Sequence, residues 1–406
     1  MKHTSKKKPK ITSINNVLYE FKKCNGCNRK RKYLNESQIC KSCYKPMTAF
    51  ISSGNNIVDD FIKYTLTNHN EMSGKMEFVP YDRFKDIEFI AEGGFSIYKA
   101  TWINGPISYW NHKKQKYDSY GEMKVALKEF QNTMYISSES LNELKMFHKF
   151  TMLTTSCDPR DNDGYYPYIS KYYGITLNPI TQNFLIITKY YESGDLAHYL
   201  TKDFFNYNWL NKLNVLNYII LGLKNLHNAN ILHRNINGRN ILLEGNFAII
   251  SDLRVAKIAS ESLGFDSNEV YENIYYIDPE ILKGKKYNKA SDVYSFSMIM
   301  WELMTGRKPF WDRGHDIIFI VRICNGLRPP IFTNAPEGYI ELMQQCWHHD
   351  PKKRPTVTDI ESKIKNILLI ESDNCHDNNP TKITKSSGIG PIAINNSDDS
   401  YENRTI

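Results

Sequence analysis

HRNINGRN, residues 233–240, is the stretch on which the reading of this chain turns. It closes a helical run and opens a pair of strands. Before it, Leu213, Leu216, Ile220, Leu223 and Leu226 recur at helical spacing and mark one buried face. After it, 241–243 and 248–251 are short β-prone runs, and Asp252 follows the second of them. Further upstream, 89–90, 97–102, 124–130 and 185–188 are β-prone, with one helix expected at 138–150. Beyond Gly194 the pattern is mostly helical, and 292–305 is apolar nearly all round, as a buried helix is. A small β-rich part followed by a larger helical part implies an α+β fold of two lobes with a cleft between them.

Other stretches keep fixed places around this loop. They are VALK (125–128), NELK with Glu143 fifteen residues after Lys128, SDLR (251–254), DPE (278–280), DVYSFSMIMWE (292–302) and CWHHDPKKRP (346–355). In this order and at these intervals they resemble the protein kinases, in particular the tyrosine-kinase-like branch, over about residues 82–370. The resemblance implies a two-lobed protein-kinase fold that uses ATP and Mg²⁺. By it, Lys128 holds the α- and β-phosphates and pairs with Glu143, while Asn240 and Asp252 hold magnesium. Gly93 and Gly94 lie in the phosphate loop. Thr188 stands at the back of the adenine pocket, and Lys189 to Tyr191 form the hinge. His233, Arg234, Glu280, Asp292 and Arg354 have structural roles: Asp292 braces the loop backbone and Arg354 pairs with Glu280. Taken singly, each residue has a plainer reading, Lys128 as a solvated strand residue and Asp252 as a turn or helix cap.

Three departures from the kinase pattern change what is expected. The family's catalytic aspartate, which accepts the hydroxyl proton, is Asn235 here. A carboxamide has no useful basicity, and loss of a general base removes about 10²–10⁴ in rate. The phosphate loop reads IAEGGFSIYKATW (90–102), with Ala91 at the first motif glycine, Ser96 near the third, and one residue too few. Arg254 replaces the glycine of the magnesium motif, adding a cation that either substitutes for the metal or obstructs it. The expected function is an ATP-binding pseudokinase that works as a signalling scaffold or regulator on protein partners. The alternative is an active kinase of unusual mechanism that phosphorylates protein hydroxyls. Substrate class stays open, since Arg239 resembles the tyrosine-kinase loop whereas Tyr276 and Ile277 resemble the serine/threonine and tyrosine-kinase-like pattern. Ser260, Ser262, Ser267 and Tyr271 lie between Asp252 and Glu280, where a phosphate would meet Arg234 or where they are ordinary loop residues.

Cys24, Cys27, Cys40 and Cys43 form C-x2-C-x12-C-x2-C, the spacing of a tetrahedral Zn²⁺ site in a small zinc-ribbon-like segment. Cys157, Cys324, Cys346 and Cys375 lack such spacing. Residues 1–50 carry thirteen Lys and Arg against two acidic residues, so the net charge of +8 belongs to this segment alone. Its run 29–32 would grip a phosphate backbone or be a solvated face, and KKKPK (6–10) resembles a nuclear-import signal. A third reading therefore makes the zinc segment a nucleic-acid or protein binder with the large domain as its platform. No apolar run approaches the roughly 18 residues of a membrane span, and the first residues lack a secretory pattern. An intracellular protein, cytoplasmic or nuclear, is expected. The expected divisions are a basic flexible segment (1–20), the zinc segment (21–50), a connector (51–81), the kinase-like domain (82–370) and a disordered tail (371–406).

Overall fold

Alternating burial builds the sheet that carries the first site residue. The computed structural model describes residues 22–25, 29–31, 38–69, 74–92, 95–130, 136–137, 140–154, 168–261, 271–314, 316–332 and 335–392. The N-terminal part holds a short ribbon, β1 (Lys22–Lys23) against β2 (Lys30–Arg31), then helices α1 (Lys41–Met47) and α2 (Asn56–Thr67). The small lobe continues with β3 (Glu77–Phe78), β4 (Phe84–Glu92), β5 (Ser96–Trp102), the hairpin β6 (Ile107–Asn111) and β7 (Lys116–Ser119), and β8 (Met123–Glu129). Helix α3 (Asn142–Leu153), β9 (Tyr172–Leu177) and β10 (Phe184–Lys189) complete it. The main sheet runs β3-β9-β10-β8-β5-β4, with β3 parallel to β9 and the other pairs antiparallel. In β8, Val125 and Leu127 are fully buried in a core with Trp102, Leu185 and Ile187. The pleat sends Lys128 to the opposite face, toward the cleft.

The large lobe is helical, as the pattern after Gly194 implies. It comprises α4 (Leu196–Asp203), α5 (Trp209–Asn228), the short strands β11 (Ile231–Leu232), β12 (Ile241–Glu244), β13 (Phe247–Ile250) and β14 (Lys257–Ile258), then α6 (Pro279–Leu282) and α7 (Lys289–Thr305). Helices α8 (Ile317–Cys324), α9 (Tyr339–Cys346) and α10 (Val357–His376) follow. Side chains start these helices by accepting orphan N–H groups: Asp195 for α4, Asn208 for α5, Asn288 for α7 and Thr356 for α10. Helix α7 is buried along its whole length from Ser291 to Thr305. Leu213, Leu216, Ile220, Leu223 and Leu226 all lie in the core. The chain thus has the α+β architecture of a sheet-based small lobe and a helical large lobe.

The structure corrects three expectations. Residues 51–81 are more than a connector: Val58, Phe61, Ile62 and Leu66 of α2 enter the same core as Leu144, Phe147 and Phe150 of α3, and β3 extends the main sheet. Helix α3 begins at Asn142; residues 138–139 lie outside the described residues, and Ser137 and Ser140 hydrogen-bond each other's backbone N–H, bonds that compete with helix. The segment from 371 is no disordered tail as far as 392. Helix α10 runs to His376, Thr381 donates both its N–H and its hydroxyl to Glu371, and Ile389 is buried. Arg307 donates to the carbonyls of Gly390 and Ser387, and Gly390 N–H donates to Thr305. Gly390 has φ of +110°, and a Cβ there would stand 2.6 Å from the Phe205 ring, so the close passage requires glycine. These backbone bonds replace the apolar content whose scarcity suggested disorder. Residues 393–406 and 1–21 lie outside the described residues.

Candidate functional site

Lys128 is the centre of the cleft. Its Nζ donates to Glu143 Oε2 at 3.0 Å and to Asp252 Oδ1 at 3.2 Å. Glu143 projects from the first turn of α3, only 3% exposed, and its other oxygen accepts the Tyr172 hydroxyl at 2.7 Å. Asp252 sits in the left-handed region at φ +59°, just after β13. Burial raises its pKa, but Lys128 and Arg254 outweigh that and hold the carboxyl below its usual range. Burial lowers the Lys128 pKa, and its two carboxylate partners more than compensate, so the ammonium is held charged.

An aromatic ring closes the third side of this ammonium. Phe95, at the turn before β5, places its face 4.5 Å from Lys128 Nζ and 4.8 Å from the Arg254 guanidinium. It also meets Phe130 edge-on at 6.0 Å. Arg254 lies 4.0 Å from Asp252 Oδ1. Asn142, opening α3, donates to the carbonyls of Arg254 and Ala256 at 2.6 and 3.0 Å and ties α3 to the segment after Asp252.

The loop 233–240 is held from below by Asp292. Its carboxylate accepts the backbone N–H groups of His233 at 3.1 Å and Arg234 at 2.9 Å, and bonds His227 Nε2 at 2.9 Å. Burial would raise this carboxyl's pKa, yet the bond to His227 and the backbone N–H of Arg234 lower it. His233 Nδ1 accepts from Asn235 N–H at 3.2 Å, so Nε2 carries the proton that goes to Ser251 carbonyl at 2.9 Å. Burial keeps this ring neutral by lowering its pKa. Arg234 stacks on Tyr287 and donates to Val255 carbonyl. Arg354 donates to Asp278 at 2.8 and 3.1 Å and to Glu280 at 2.9 Å, all three buried.

Asn235 faces Asp252 across this floor. Its Oδ1 accepts from Asn237 Nδ2 at 3.0 Å, which directs its own Nδ2 toward Asp252 Oδ2, 3.5 Å away. The amide therefore presents a donor where a base needs an acceptor. Asn240 Nδ2 donates to Asn235 carbonyl at 2.8 Å, and Asn240 carbonyl accepts both the N–H and the hydroxyl of Ser251. These bonds set Asn240 beside Asp252, a carboxamide and a carboxylate that together offer the hard oxygen donors Mg²⁺ takes. Thr188 and Lys189 end β10, at a register shift against β9, and Tyr191 beyond them is buried. Lys189 Nζ pairs with Glu244 at 2.5 Å. Gly93 and Gly94 lie outside the described residues.

A second cluster lies apart from the cleft. Cys24, Cys40 and Cys43 are buried with their sulfurs within 4.8 Å of one another, and Cys40 N–H donates to Cys24 Sγ at 3.1 Å. A zinc ion with Zn–S near 2.3 Å spaces tetrahedral sulfurs about 3.8 Å apart, so the three thiols fit it with little movement. Cys27 lies outside the described residues.

Tyr172, Asn142, His227 and Phe95 were not singled out in the sequence. Phe95 was in view within the phosphate loop, but only its fold-back shows that it matters. Nothing distinguishes Tyr172 among 27 tyrosines.

The chain is similar to known proteins over most of its length. A family model described as protein tyrosine and serine/threonine kinase matches residues 87–364. The Probable serine/threonine-protein kinase pats1 of Dictyostelium discoideum is 28% identical over 323 residues, which is 77% of this chain and 9% of that protein. The Probable serine/threonine-protein kinase roco5 of the same organism is 32% identical over 325 residues, 75% of this chain and 10% of its own. Receptor-interacting serine/threonine-protein kinase 4 of Mus musculus is 30% identical over 213 residues, 49% of this chain and 26% of its own. The chain thus spans about a tenth of the two amoebal relatives. The family match gives no support to a nucleic-acid role for the basic residues near the cysteines. Among the described residues no helix is long and apolar enough to cross a membrane.

Proposed function

The chain belongs to the protein tyrosine and serine/threonine kinase family, and from that premise we propose that it is an ATP-binding pseudokinase, a scaffold or regulator with little phosphotransfer. One observation carries the reading. Lys128, Glu143 and Asp252 are joined in the cleft while Asn235 beside them turns a donor toward Asp252. Lys128 would hold the α- and β-phosphates, Thr188 and the hinge from Lys189 to Tyr191 would bound the adenine, and Asn240 and Asp252 would hold Mg²⁺. When bound, the metal supplies neutralisation of phosphate charge. Arg254 and Phe95 crowd the same place, so nucleotide binds weakly. His233, Arg234, Asp292, Glu280 and Arg354 hold the floor and the segment beyond it. Protein partners are the expected ligands of the surface.

The thiol cluster supports a structural zinc site, with Cys27 as the fourth ligand of Cys24, Cys40 and Cys43. A four-thiolate site is closed, so its metal folds the segment rather than catalyses.

A second reading, an active kinase of unusual mechanism, is favoured by the closed Lys128–Glu143 pair, since positioning is much of phosphoryl-transfer catalysis. Thermal unfolding with and without ATP and Mg²⁺ tests the nucleotide site. Ligand at 100 times Kd stabilises by about 2.7 kcal/mol, and Lys128→Met should abolish that shift. No shift at millimolar ATP would end the proposal.

A further inference from the structure

The metal segment is not a separate appendage. Cys40, one of the three clustered thiols, is the N-cap residue of α1, and Cys43 lies in its first turn. Helix α1 packs on α2. From α1, Lys45 also reaches the hairpin β6–β7, its Nζ 5.4 Å from the Trp110 ring. Helix α2 in turn lies on α3, the helix that carries Glu143. The Tyr64 ring meets the His148 ring edge-on at 5.5 Å. Val58, Phe61, Ile62 and Leu66 share a core with Leu144, Phe147 and Phe150. The chain leaving α2 is held to α3 as well: Gly74 carbonyl accepts from His148 Nδ1 at 2.8 Å. A Cβ on Gly74, at φ +88°, would stand 2.7 Å from Thr151 Oγ1, so the approach is close enough to require glycine. Two residues later Met76 N–H donates to Thr65 Oγ1, and β3 then pairs with β9. Each step from the thiols to Glu143 is thus a packed contact or a hydrogen bond between rigid elements.

We propose that metal capture by the cysteine cluster fixes α1 and α2, and that these set α3, so that metal loading controls the Lys128–Glu143 pair. This rests on the reading of the cluster as a zinc site. Without metal the three clustered thiols lack the coordinate bonds that would fix α1 at its capped end. Without that anchor, α2 keeps its contacts with α3 but loses its fixed position, and α3 is released toward positions in which Glu143 no longer meets Lys128. The coupling is reciprocal, so nucleotide held by Lys128 also tightens the grip on metal.

The test uses the full chain, loaded with Zn²⁺ or stripped by a chelator and then reloaded with zinc sulfate. Bound zinc is counted with a chromophoric chelator, and hydrogen exchange is followed in α3, with α7 and α10 as internal controls of the fold. One zinc per chain is expected. On stripping, α3 amides should exchange about tenfold faster, within the range usual for coupled sites, while α7 and α10 stay protected, and reloading should reverse the change. Tyr64→Ala, at a residue 56% exposed, spares the thiols and the core. It should keep its zinc yet show a smaller difference in α3 exchange between loaded and stripped forms. The proposal is overturned if the chain holds no zinc, or if it holds zinc and α3 exchange is unchanged on removal. If α3 responds to zinc but ATP shifts neither form, the metal coupling stands and the nucleotide reading fails.

Discussion

Replacing Phe95 by alanine should strengthen nucleotide binding, which is the opposite of what deleting a residue from a binding loop ordinarily does. The Lys128 ammonium has three N–H groups. Two go to Glu143 and Asp252, and the Phe95 ring covers the remaining approach at 4.5 Å while its edge of contact continues to Arg254 at 4.8 Å. The ring stands where a phosphate would approach Lys128, whose side chain is only 14% exposed. What holds the ring is a pair of cation–π contacts, each about 0.5–2 kcal/mol according to its burial, and the edge-on contact with Phe130, about 0.5–1.5 kcal/mol. Taking about 2 kcal/mol as the cost of opening, and about 1.4 kcal/mol for each tenfold in affinity, Phe95→Ala should lower the Kd for ATP and Mg²⁺ by about 10- to 30-fold. Phe95→Leu, which keeps an apolar side chain but no π face, should fall between. Isothermal titration of wild type and both variants reads the effect directly. An unchanged or weaker affinity for Phe95→Ala would show that the ring is no barrier, and the account of the closed cleft would be wrong.

Three further outcomes follow from the same geometry. Lys212 is fully buried, with its Nζ 3.7 Å from the Phe204 ring centre and no hydrogen-bond partner among the described residues, and burial lowers its pKa to about 7. Because the folded pKa lies below the unfolded one, the cost of the charge is full below pH 7 and is relieved as pH rises toward 10.5. Lys212→Met should therefore stabilise by about 3 kcal/mol at pH 6 once the cation–π contact is allowed for, and the gain measured by urea unfolding should shrink steadily from pH 7 to pH 10. Arg354→Ala leaves Asp278 and Glu280 buried without their cation and should cost about 3–5 kcal/mol in the same assay; a loss below about 1 kcal/mol would contradict the ion-pair account. Asn235→Asp restores the missing carboxylate but leaves Ala91, Ser96 and Arg254 in place, so γ-phosphate transfer to a generic substrate should stay well below that of an ordinary kinase.

Much of the architecture was legible because kinase motifs are spaced along the chain at intervals set by contacts in the fold. The alternation in VALK puts Lys128 on the cleft face of β8, and the all-round apolar run at 292–305 can only be a buried helix. The elements that escaped are those whose stability is borrowed. Strand β3 is two residues long and exists only as a partner of β9. Helix α2 shows a helical pattern in sequence, but nothing there says that its apolar face belongs to the core of α3. The segment 377–392 is polar and is held by Arg307 and by backbone bonds that no hydropathy pattern records. In the cleft, the residue types of the Lys128, Glu143 and Asp252 set were readable, whereas their joint distances, the Tyr172 hydroxyl behind Glu143 and the fold-back of Phe95 depend on packing between lobes. The identity of Asn235 was plain; that its amide turns a donor toward Asp252 depends on Asn237, whose buried side chain is itself held by Arg239 N–H.

The central claim is a cleft that holds nucleotide without transferring its phosphate. It is tested most directly by one sample in which ATP and Mg²⁺ occupancy is read from the thermal shift and γ-phosphate transfer to protein is read from label incorporation. A clear upward shift that Lys128→Met removes, with incorporation no greater in wild type than in that variant, is the predicted result. Incorporation well above the Lys128→Met background, at the same occupancy, would mean that the chain is an active kinase and that Asn235 does not disable it.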